Sequence, residues 1–192
     1  MGKIVISTNV SLDGVVEDPD GEEGHERGGW FRQFGGKDLE PWAQIEAEEA
    51  DRADALLLGR RSDAWFGSRW ADRPGAWADS LRDLPKYVVS ATLTQPVWQN
   101  TTVLTGDVTT EITKLKREVN GEILLYASYQ LGQELIERDL VDEFRLFVFP
   151  VVVGAGRRLF AETTQTKPLR LAGSKTVGDG LTFLTYELVR EA

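Results

Sequence analysis

The chain has no cysteine, one methionine and one histidine, and its basic residues are outnumbered by acidic ones. The lack of cysteine excludes disulfides, thiol catalysis and thiolate metal sites. A single histidine, His25, is too little for a His-ligated zinc site or a serine–histidine hydrolase, so we predict no metal site. With 22 Lys and Arg against 31 Asp and Glu, the net charge of −9 disfavours binding to nucleic acid and anionic membranes, so neither is an expected partner.

Long apolar runs are also missing. The longest apolar stretch, residues 146–156, is far shorter than the roughly 20 residues that a helix needs to cross a bilayer. No basic segment followed by an apolar one opens the sequence, so we predict no signal peptide and a cytoplasmic protein. The length of 192 residues is enough for a large buried core, and residues 1–192 are predicted to form a single domain.

An apolar run, Leu56 to Leu58, ends at Gly59 and continues directly into Arg60, Arg61 and Ser62. The run is typical of a strand that is buried on both faces. Glycine permits close approach of a ligand, Ser62 is a candidate helix N-cap, and free N–H groups at a helix start attract anions. Two guanidinium groups add charge-assisted contacts to phosphate. The segment therefore indicates a phosphate site, with a solvated turn carrying two arginines as the alternative.

Two further strand ends carry hydroxyl residues. Ser90 ends a predicted strand over 86–90, and Ser128 follows a predicted strand over 122–127, where a helix begins. Small residues at the carboxyl edge of a sheet permit close approach to a diphosphate. The alternatives are a simple turn at Ser90 and a simple helix cap at Ser128. Together, the three strand ends predict an extended groove for a nucleotide.

Hydrophobic periodicity predicts alternating strands and helices, followed by an antiparallel hairpin. We predict strands over 3–10, 55–58, 86–90, 101–105, 122–127, 141–153, 169–177 and 181–190, and helices over 38–52, 108–119 and 128–138. A break is expected at Pro150, and Gly178-Asp179-Gly180 signals a hairpin turn. Residues 11–36 are predicted as a long loop, and residues 65–84 as an irregular connection. The pattern indicates a mixed sheet with helices on both faces.

Four motifs then carry a resemblance that spans nearly the whole chain. They are Ser11-Leu12-Asp13-Gly14, Leu58 to Ser62, Lys86 to Ser90, and Leu140 to Phe160. In this order they resemble the reductase domain of bacterial riboflavin-biosynthesis deaminase-reductases and its stand-alone dihydrofolate reductase-like relatives. The resemblance implies a dihydrofolate reductase-like three-layer α/β/α fold, with a mixed, mostly parallel central sheet of about eight strands and a C-terminal antiparallel hairpin.

The resemblance also implies NADPH as the hydride donor. Its motifs would place Gly59, Arg60, Arg61 and Ser62 at the adenosine-side phosphates, Ser90 near the adenosine end, and Ser128 at the pyrophosphate. Relatives usually have glycine where this chain has Ala127, and often a basic residue where it has Ala91. The extra methyl group would crowd the pyrophosphate, and the missing cation would weaken selection for a 2′-phosphate. NADH therefore stays an alternative donor.

The implied reaction is hydride transfer to a small heterocycle, either 5-amino-6-(5-phosphoribosylamino)uracil-like or pterin-like. Relatives that reduce pterins carry a carboxylate on the helix that corresponds to 38–52, which makes Glu46 and Glu49 candidate proton donors. Their alternative is a solvated acidic face. Asp13, in the loop that would close over the nicotinamide, is a further candidate catalytic residue. Trp30 and Trp42 would stack on the heterocycle or belong to the core.

Two readings of the whole chain follow from the resemblance. The first is an NAD(P)H-dependent reductase, and the second is a non-catalytic nucleotide-binding module of the same fold, in which the altered pyrophosphate residues mark lost turnover. The glycine-rich segment 153–158 resembles a family turn that is structural or substrate-binding. The elements around Pro150 and the terminal hairpin resemble those that pair between subunits in the family, which predicts a homodimer.

Overall fold

The computed structural model describes residues 1–190, and these form eight strands, six α-helices and one short 3-10 helix (Gly36–Asp38). The strands are β1 (Lys3–Ser11), β2 (Ala55–Gly59), β3 (Lys86–Val89), β4 (Thr101–Leu104), β5 (Glu122–Leu125), β6 (Glu143–Phe149), β7 (Leu169–Val177) and β8 (Leu181–Leu188). The helices are α1 (Trp30–Gly35), α2 (Leu39–Arg52), α3 (Arg60–Trp70), α4 (Ala76–Asp83), α5 (Val108–Glu118) and α6 (Tyr129–Glu137).

The strands form one mixed sheet in the order β4-β3-β2-β5-β1-β6-β8-β7. The pairs formed among β1 to β5 are parallel. The strands β6, β8 and β7 pair antiparallel, and β7 and β8 form the terminal hairpin. The predicted mixed sheet of about eight strands, with an antiparallel hairpin at its C-terminal end, is therefore confirmed.

The chain divides into two compact units, Met1–Ile6 with Ile45–Asp142, and Ser7–Gln44 with Glu143 onward. The core of the first unit contains strand residues such as Leu56 and Leu124, together with Phe66 from α3. Four successive residues of β2 are buried, which explains why its sequence is continuously apolar rather than alternating. The single domain over residues 1–192 stays a prediction.

Residues 65–84, predicted as an irregular connection, are instead largely helical, because α3 continues to Trp70 and α4 follows. The buried side of α3 carries small and polar residues beside Phe66, so the sequence lacks the apolar period of a helix. Asp63 is fully buried there, and its carboxylate accepts hydrogen bonds from the backbone N–H groups of Val97 (2.8 Å) and Trp98 (3.3 Å). A partner this distant in sequence is not visible in local periodicity.

Two other predicted boundaries were wrong. The loop over 11–36 contains the short helix α1, in which Trp30 is buried. The strand predicted over 141–153 is limited to β6, which starts at Glu143 and ends at Phe149, so the bounds were wrong but the predicted break at Pro150 is confirmed. Pro150 has no N–H for a strand ladder, and the Val151 N–H turns back to the Phe149 carbonyl oxygen at 2.8 Å.

Asp38 fastens the turn of the β7–β8 hairpin. Its carboxylate accepts hydrogen bonds from the backbone N–H groups of Asp179 (3.0 Å) and Gly180 (2.8 Å). The hydrogen bond from Asp179, helped by the one from Gly180, lowers the pKa of Asp38 despite the opposing effect of burial. A β-carbon on Gly178, which has a φ of +63°, would collide with the same carboxylate. The glycine at this position is therefore required by the close approach of Asp38.

Lys86, the first residue of β3, has a buried ammonium group. The Nζ atom donates to the carbonyl oxygens of Arg82 (3.0 Å) and Leu84 (2.8 Å) and lies 4.7 Å from the centroid of the Trp98 ring. Burial lowers the pKa of Lys86 to about 8, although Asp83 and Asp63 act in the opposite direction. The folded chain therefore releases this proton at a lower pH than the unfolded chain does.

We expect the free energy of unfolding to rise by on the order of 2–3 kcal/mol between pH 8 and pH 10.5, because the unfolded chain binds the Lys86 proton over that range and the folded chain does not. Urea unfolding of the wild type and of Lys86→Met across this range measures the difference. The variant should lack the rise. Lys114→Met, which removes an exposed lysine of α5, should retain it. If the free energy of unfolding rises equally with pH in the wild type and in K86M, Lys86 is not the group with the lowered pKa.

Candidate functional site

The junction of β2 and α3 places two arginines at the start of a helix. Gly59 ends β2 with extended backbone (φ −86°, ψ 161°) and is the N-cap of α3, so the prediction that Ser62 is the N-cap was wrong. Ser62 lies in the first turn and is buried, whereas Arg60 and Arg61 are exposed. Asp63 is the only acidic residue of that turn. It is buried, and its carboxylate accepts hydrogen bonds from the N–H groups of Val97 and Trp98, which lie outside the helix. The helix start is therefore electropositive.

The junction of β5 and α6 is joined to the first by two hydrogen bonds. The Gly59 N–H donates to Ser128 Oγ at 3.0 Å, and the Ser128 N–H donates to Ser62 Oγ at 3.1 Å. Ser128 occupies the N-cap position of α6, but its side chain makes no capping hydrogen bond, and the first turn of α6 has no acidic residue. The structure therefore brings Gly59, Arg60, Ser62 and Ser128 together at the starts of two adjacent helices.

Ser90 lies at the same edge of the sheet, one strand further along. The strand β3 pairs in parallel with β2, with Val89 opposite Gly59. The Ser90 Oγ accepts hydrogen bonds from the N–H groups of Thr92 (3.3 Å) and Leu93 (3.1 Å), so its position is fixed by the turn that it forms. The carboxyl ends of β3, β2 and β5 thus carry the predicted nucleotide-site residues along one edge.

Ala127 and Ser128 both have left-handed backbone, with φ of +48° and +50°. A non-glycine residue in this region costs roughly 1–2 kcal/mol, and such strain persists where surrounding contacts fix it. The two hydrogen bonds of Ser128 are such contacts. Where relatives usually have glycine, this chain has Ala127. Glycine is also the residue that the left-handed backbone at this position favours.

We expect Ala127→Gly to raise the free energy of unfolding by about 1 kcal/mol, because glycine adopts a positive φ without steric cost. Urea unfolding measures the change. Ala64→Gly, in the interior of α3, is the matched control and should lower the same quantity by about 0.5–1 kcal/mol. A destabilised A127G would show that the turn is not strained.

The two candidate proton donors of α2, Glu46 and Glu49, are buried. The alternative, that they belong to a solvated acidic face, was therefore wrong. Glu46 is 4% exposed and Glu49 is 0% exposed. Burial, and then the neighbouring Glu49, raise the pKa of Glu46 well above its usual value, and a hydrogen bond with the Tyr126 side chain offsets part of this effect. The signal was present in the sequence, since Glu46 shares a helical face with Glu49 and Ala50, which are also buried.

Asp13 is held by backbone groups. Its carboxylate accepts from the Ser11 hydroxyl (2.7 Å) and from the N–H groups of Val153 (3.0 Å) and Gly154 (2.8 Å). Partial burial acts to raise the pKa of Asp13, but the hydrogen bonds from Ser11, Gly154 and Val153 outweigh it and the pKa is lowered. Asp13 is therefore a poor proton donor at neutral pH, and its catalytic role stays a prediction.

The two tryptophans predicted to contact substrate differ in exposure. Trp30 is 1% exposed, packs edge-on against Phe149 and donates its indole N–H to the Glu17 carbonyl oxygen. Trp42 is half-buried, donates to Asn9 Oδ1 at 2.9 Å and lies edge-on to Phe31. Trp42 thus retains exposed surface, while the packing of Trp30 is that of a core residue.

A family model for the RibD C-terminal domain matches residues 2–183 of this sequence. The chain belongs to the RibD C-terminal domain family. The uncharacterized protein YyaP of Bacillus subtilis (strain 168) is 27% identical to it over 195 residues, which cover 96% of this chain and 94% of YyaP. The family assignment confirms the resemblance that the sequence motifs indicated.

Solved structures show the same fold as this member of the RibD C-terminal domain family. A provisionally named riboflavin biosynthesis protein from Shewanella sp. PV-4 is 24% identical and superposes with a TM-score of 0.73, covering 98% of this chain and 99% of that one. Dihydrofolate reductase from Enterococcus faecalis, complexed with NADP(H), is 15% identical, with a TM-score of 0.61 and coverage of 97% and 96%. The dihydrofolate reductase-like fold is thereby confirmed, and the family supports a reductase-type function.

Within residues 1–190, no group of three or more histidine, aspartate and glutamate side chains is arranged to hold a metal ion. No helix of the same residues is long and apolar enough to cross a bilayer. One contact that the sequence analysis missed is Glu17, whose Oε2 accepts the Arg157 N–H at 2.9 Å. The signal for Glu17 in the sequence was its position four residues after Asp13. Its hydrogen-bond partner, Arg157, is 140 residues away and was not visible from that position.

Proposed function

We propose that this chain is an NAD(P)H-dependent reductase that transfers hydride to a small heterocycle of the 5-amino-6-(5-phosphoribosylamino)uracil or pterin type. The observation that carries the proposal is the pair of helix starts joined through Ser62 and Ser128. The backbone N–H groups at the starts of α3 and α6, with the guanidinium groups of the exposed residues Arg60 and Arg61, are a donor set that suits a dinucleotide diphosphate.

The nicotinamide cofactor, when bound, supplies the hydride. Gly59, Arg60, Arg61, Ser62 and Ser128 would hold its phosphates, and Ser90 would lie near the adenosine. In an otherwise acidic protein, the two guanidinium groups give local attraction for the anionic cofactor. The missing cation at Ala91 is the reason to keep NADH as the alternative donor.

Glu46 is the proposed source of the proton that accompanies the hydride, with Glu49 as the alternative. A carboxyl group with a raised pKa keeps its proton to a higher pH than an ordinary one and can release it to a group that becomes basic on reduction. Trp42 is the proposed stacking surface for the heterocycle, because it is half-buried whereas Trp30 is buried. Trp30 is retained as a candidate only if the ring leaves its packed position.

A second candidate function, a nucleotide-binding module without turnover, is favoured by one observation, the non-glycine left-handed turn at Ala127 and Ser128. Calorimetric titration with NADPH and NADH, followed by an assay of the 340 nm absorbance with aminopyrimidine and pterin substrates, separates the two. Binding with turnover supports the reductase, and tight binding without turnover supports the module. No binding of either nucleotide would overturn both.

A homodimer is the proposed assembly. The strand β7 lies at the edge of the sheet, so its outer backbone groups have no neighbouring strand among the described residues, and Leu171 on it is 52% exposed. Exposed edges of this length pair readily with another chain. Sedimentation velocity at micromolar concentration should give a dimer for the wild type and a monomer for Leu171→Glu. A monomeric wild type would contradict the proposal.

A further inference from the structure

Tyr126 directly follows β5 and is buried, with 5% of its surface exposed. It belongs to the same hydrophobic core cluster as Leu124 of β5 and Ala50 of α2. Glu46 lies one helical turn before Ala50 on the same buried face of α2. The ring of Tyr126 therefore lies on the face of the sheet that the C-terminal half of α2 covers.

The ring of Tyr126 is held in place by aromatic neighbours. Trp77 of α4 packs edge-on against it, with the ring centroids 5.9 Å apart and an interplanar angle of 61°. Trp77 in turn contacts the rings of Phe66 and Trp70, with centroid distances of 6.3 and 4.5 Å. Close packing on this scale leaves a ring little freedom to change its rotamer, so the hydroxyl group keeps one position.

The Tyr126 side chain is hydrogen-bonded to the carboxyl group of Glu46, and this contact favours the ionised form of the carboxyl group. The other titratable group that acts on Glu46 is Glu49 of the same helix, which, like burial, favours the protonated form. Buried polar groups normally have hydrogen-bond partners, so a carboxyl group in this core depends on the tyrosine hydroxyl. Apolar residues at both positions would fill the space without any desolvation cost, so stability alone does not explain the pair.

The backbone of Tyr126 leads directly into the left-handed turn at Ala127 and Ser128. Ser128 accepts the hydrogen bond from the Gly59 N–H and donates its own N–H to Ser62, at 3.0 and 3.1 Å. The side chain that contacts Glu46 is thus two residues away from the one that joins the starts of α3 and α6. This short connection fixes the place of the Glu46 carboxyl group relative to the proposed phosphate ligands.

We propose that Tyr126 is a positioning residue of the reductase, which holds the carboxyl group of Glu46 at a fixed place relative to the proposed cofactor site. Tyr126 acts through Glu46 and transfers no proton itself. This inference rests on the proposed function, because it takes Glu46 as the proton donor.

The first test is Tyr126→Phe, which keeps the ring and removes the hydroxyl group. NMR of the ligand-free protein with carbon-13 in its glutamate carboxyl groups follows the ionisation of Glu46, whose signal is the one absent from Glu46→Gln. Loss of a hydrogen bond to the ionised form should raise the pKa of Glu46 above its wild-type value. An equal pKa in Y126F and the wild type would overturn the inference.

Tyr87→Phe is the matched control for this titration. Tyr87 alternates along β3 with the buried residues Lys86 and Val88, so its side chain is on the opposite face of the sheet from the core that contains Val88 and Tyr126. The substitution removes the same hydroxyl group and should leave the pKa of Glu46 at its wild-type value. An equal rise in Y87F and Y126F would show a general effect on the fold and overturn the inference.

A measurement on the wild type tests the contact without relying on the folding of Y126F. The chain has four tyrosines, so few carbon-13 signals arise from their hydroxyl-bearing ring carbons. The signal of Tyr126 should shift with the same midpoint as the carboxyl signal of Glu46, because its hydroxyl group senses the ionisation of its partner. If none of the four signals follows Glu46, the contact is absent and the inference is overturned.

Turnover separates positioning from a purely structural contact. We expect Y126F to lower kcat about 10-fold, because a misplaced proton donor is less effective, while the Kd for NADPH stays within about twofold of the wild type. The fall of kcat at high pH should move to higher pH in step with the NMR titration. An unchanged kcat, or a fall at the wild-type pH, would overturn the positioning role.

The titrations are made without ligand, so they decide the contact between Tyr126 and Glu46 whatever the reaction is. A wild type that oxidises neither NADPH nor NADH would overturn the proposed function and the positioning role with it. A wild type that turns over at the same rate as Y126F would overturn the positioning role alone.

Discussion

Replacing both Arg60 and Arg61 with alanine is expected to raise the Kd for NADPH by about 100-fold, roughly 3 kcal/mol. Each charge-assisted hydrogen bond contributes about 1.5–3 kcal/mol, and both guanidinium groups are at the exposed start of α3. Calorimetric titration gives the constants. The wild-type affinity should also fall with added salt, and the double variant should show a smaller dependence on salt.

Arg69→Ala is the control for the arginine pair. Arg69 is in the last turn of the same helix, where its guanidinium lies 4.8 Å from the centroid of the Trp65 ring, so its loss lowers the net charge of the helix without changing the phosphate site. We expect less than a threefold change in the Kd for NADPH. If the double variant binds NADPH as tightly as R69A does, the two arginines are not in the cofactor site.

Glu46→Gln is expected to lower kcat by about 10²- to 10⁴-fold, the range typical of loss of a general acid. The amide is close in size to the carboxyl group but carries no transferable proton. The Kd for NADPH should stay within about twofold of the wild type, since Glu46 is not among the proposed phosphate ligands. Steady-state kinetics measures kcat, and calorimetric titration measures the Kd for NADPH. A kcat that is unchanged in E46Q and reduced in Glu49→Gln would transfer the role to Glu49.

E46Q is also expected to change stability. It should lower kcat but raise the free energy of unfolding. The unfolded chain ionises Glu46 near its ordinary pKa of 4.5, whereas burial and Glu49 keep it protonated in the folded chain to higher pH. The free energy of unfolding of the wild type therefore loses a contribution as pH rises from 4.5 toward the raised pKa. E46Q should lack this loss and be the more stable protein at neutral pH.

Much of the fold could be predicted from local signals. The β-branched run of β1 and the apolar run of β2 indicated buried strands, and Gly178-Asp179-Gly180 indicated the terminal hairpin. These elements share the property that neighbouring residues determine them. The helix α4 was missed because its sequence follows Pro74 and Gly75 and offers only two buried residues, Ala78 and Leu81, as a periodic signal.

The candidate site was predictable to a different degree. The residue types at Gly59 and Ser128 indicated the correct strand ends, but their direct hydrogen bond depends on the sheet order, in which β2 and β5 are neighbours. The burial of Glu46 likewise depends on how α2 packs, which its strongly acidic sequence obscures. The contacts of Asp13 with Val153 and Gly154 connect residues 140 and 141 positions apart, so no local window of the sequence contains both partners.

The contact of Asp38 with the hairpin turn has a consequence for how the protein emerges from the ribosome. Asp179 follows Asp38 by 141 residues, so a nascent chain exposes that carboxylate long before its backbone partners have been synthesised. The unit built from Ser7–Gln44 and Glu143 onward therefore closes only after the turn between β7 and β8 has been synthesised. Chains released before Leu181 would present an incomplete sheet edge, the kind of surface on which chaperones and proteases act.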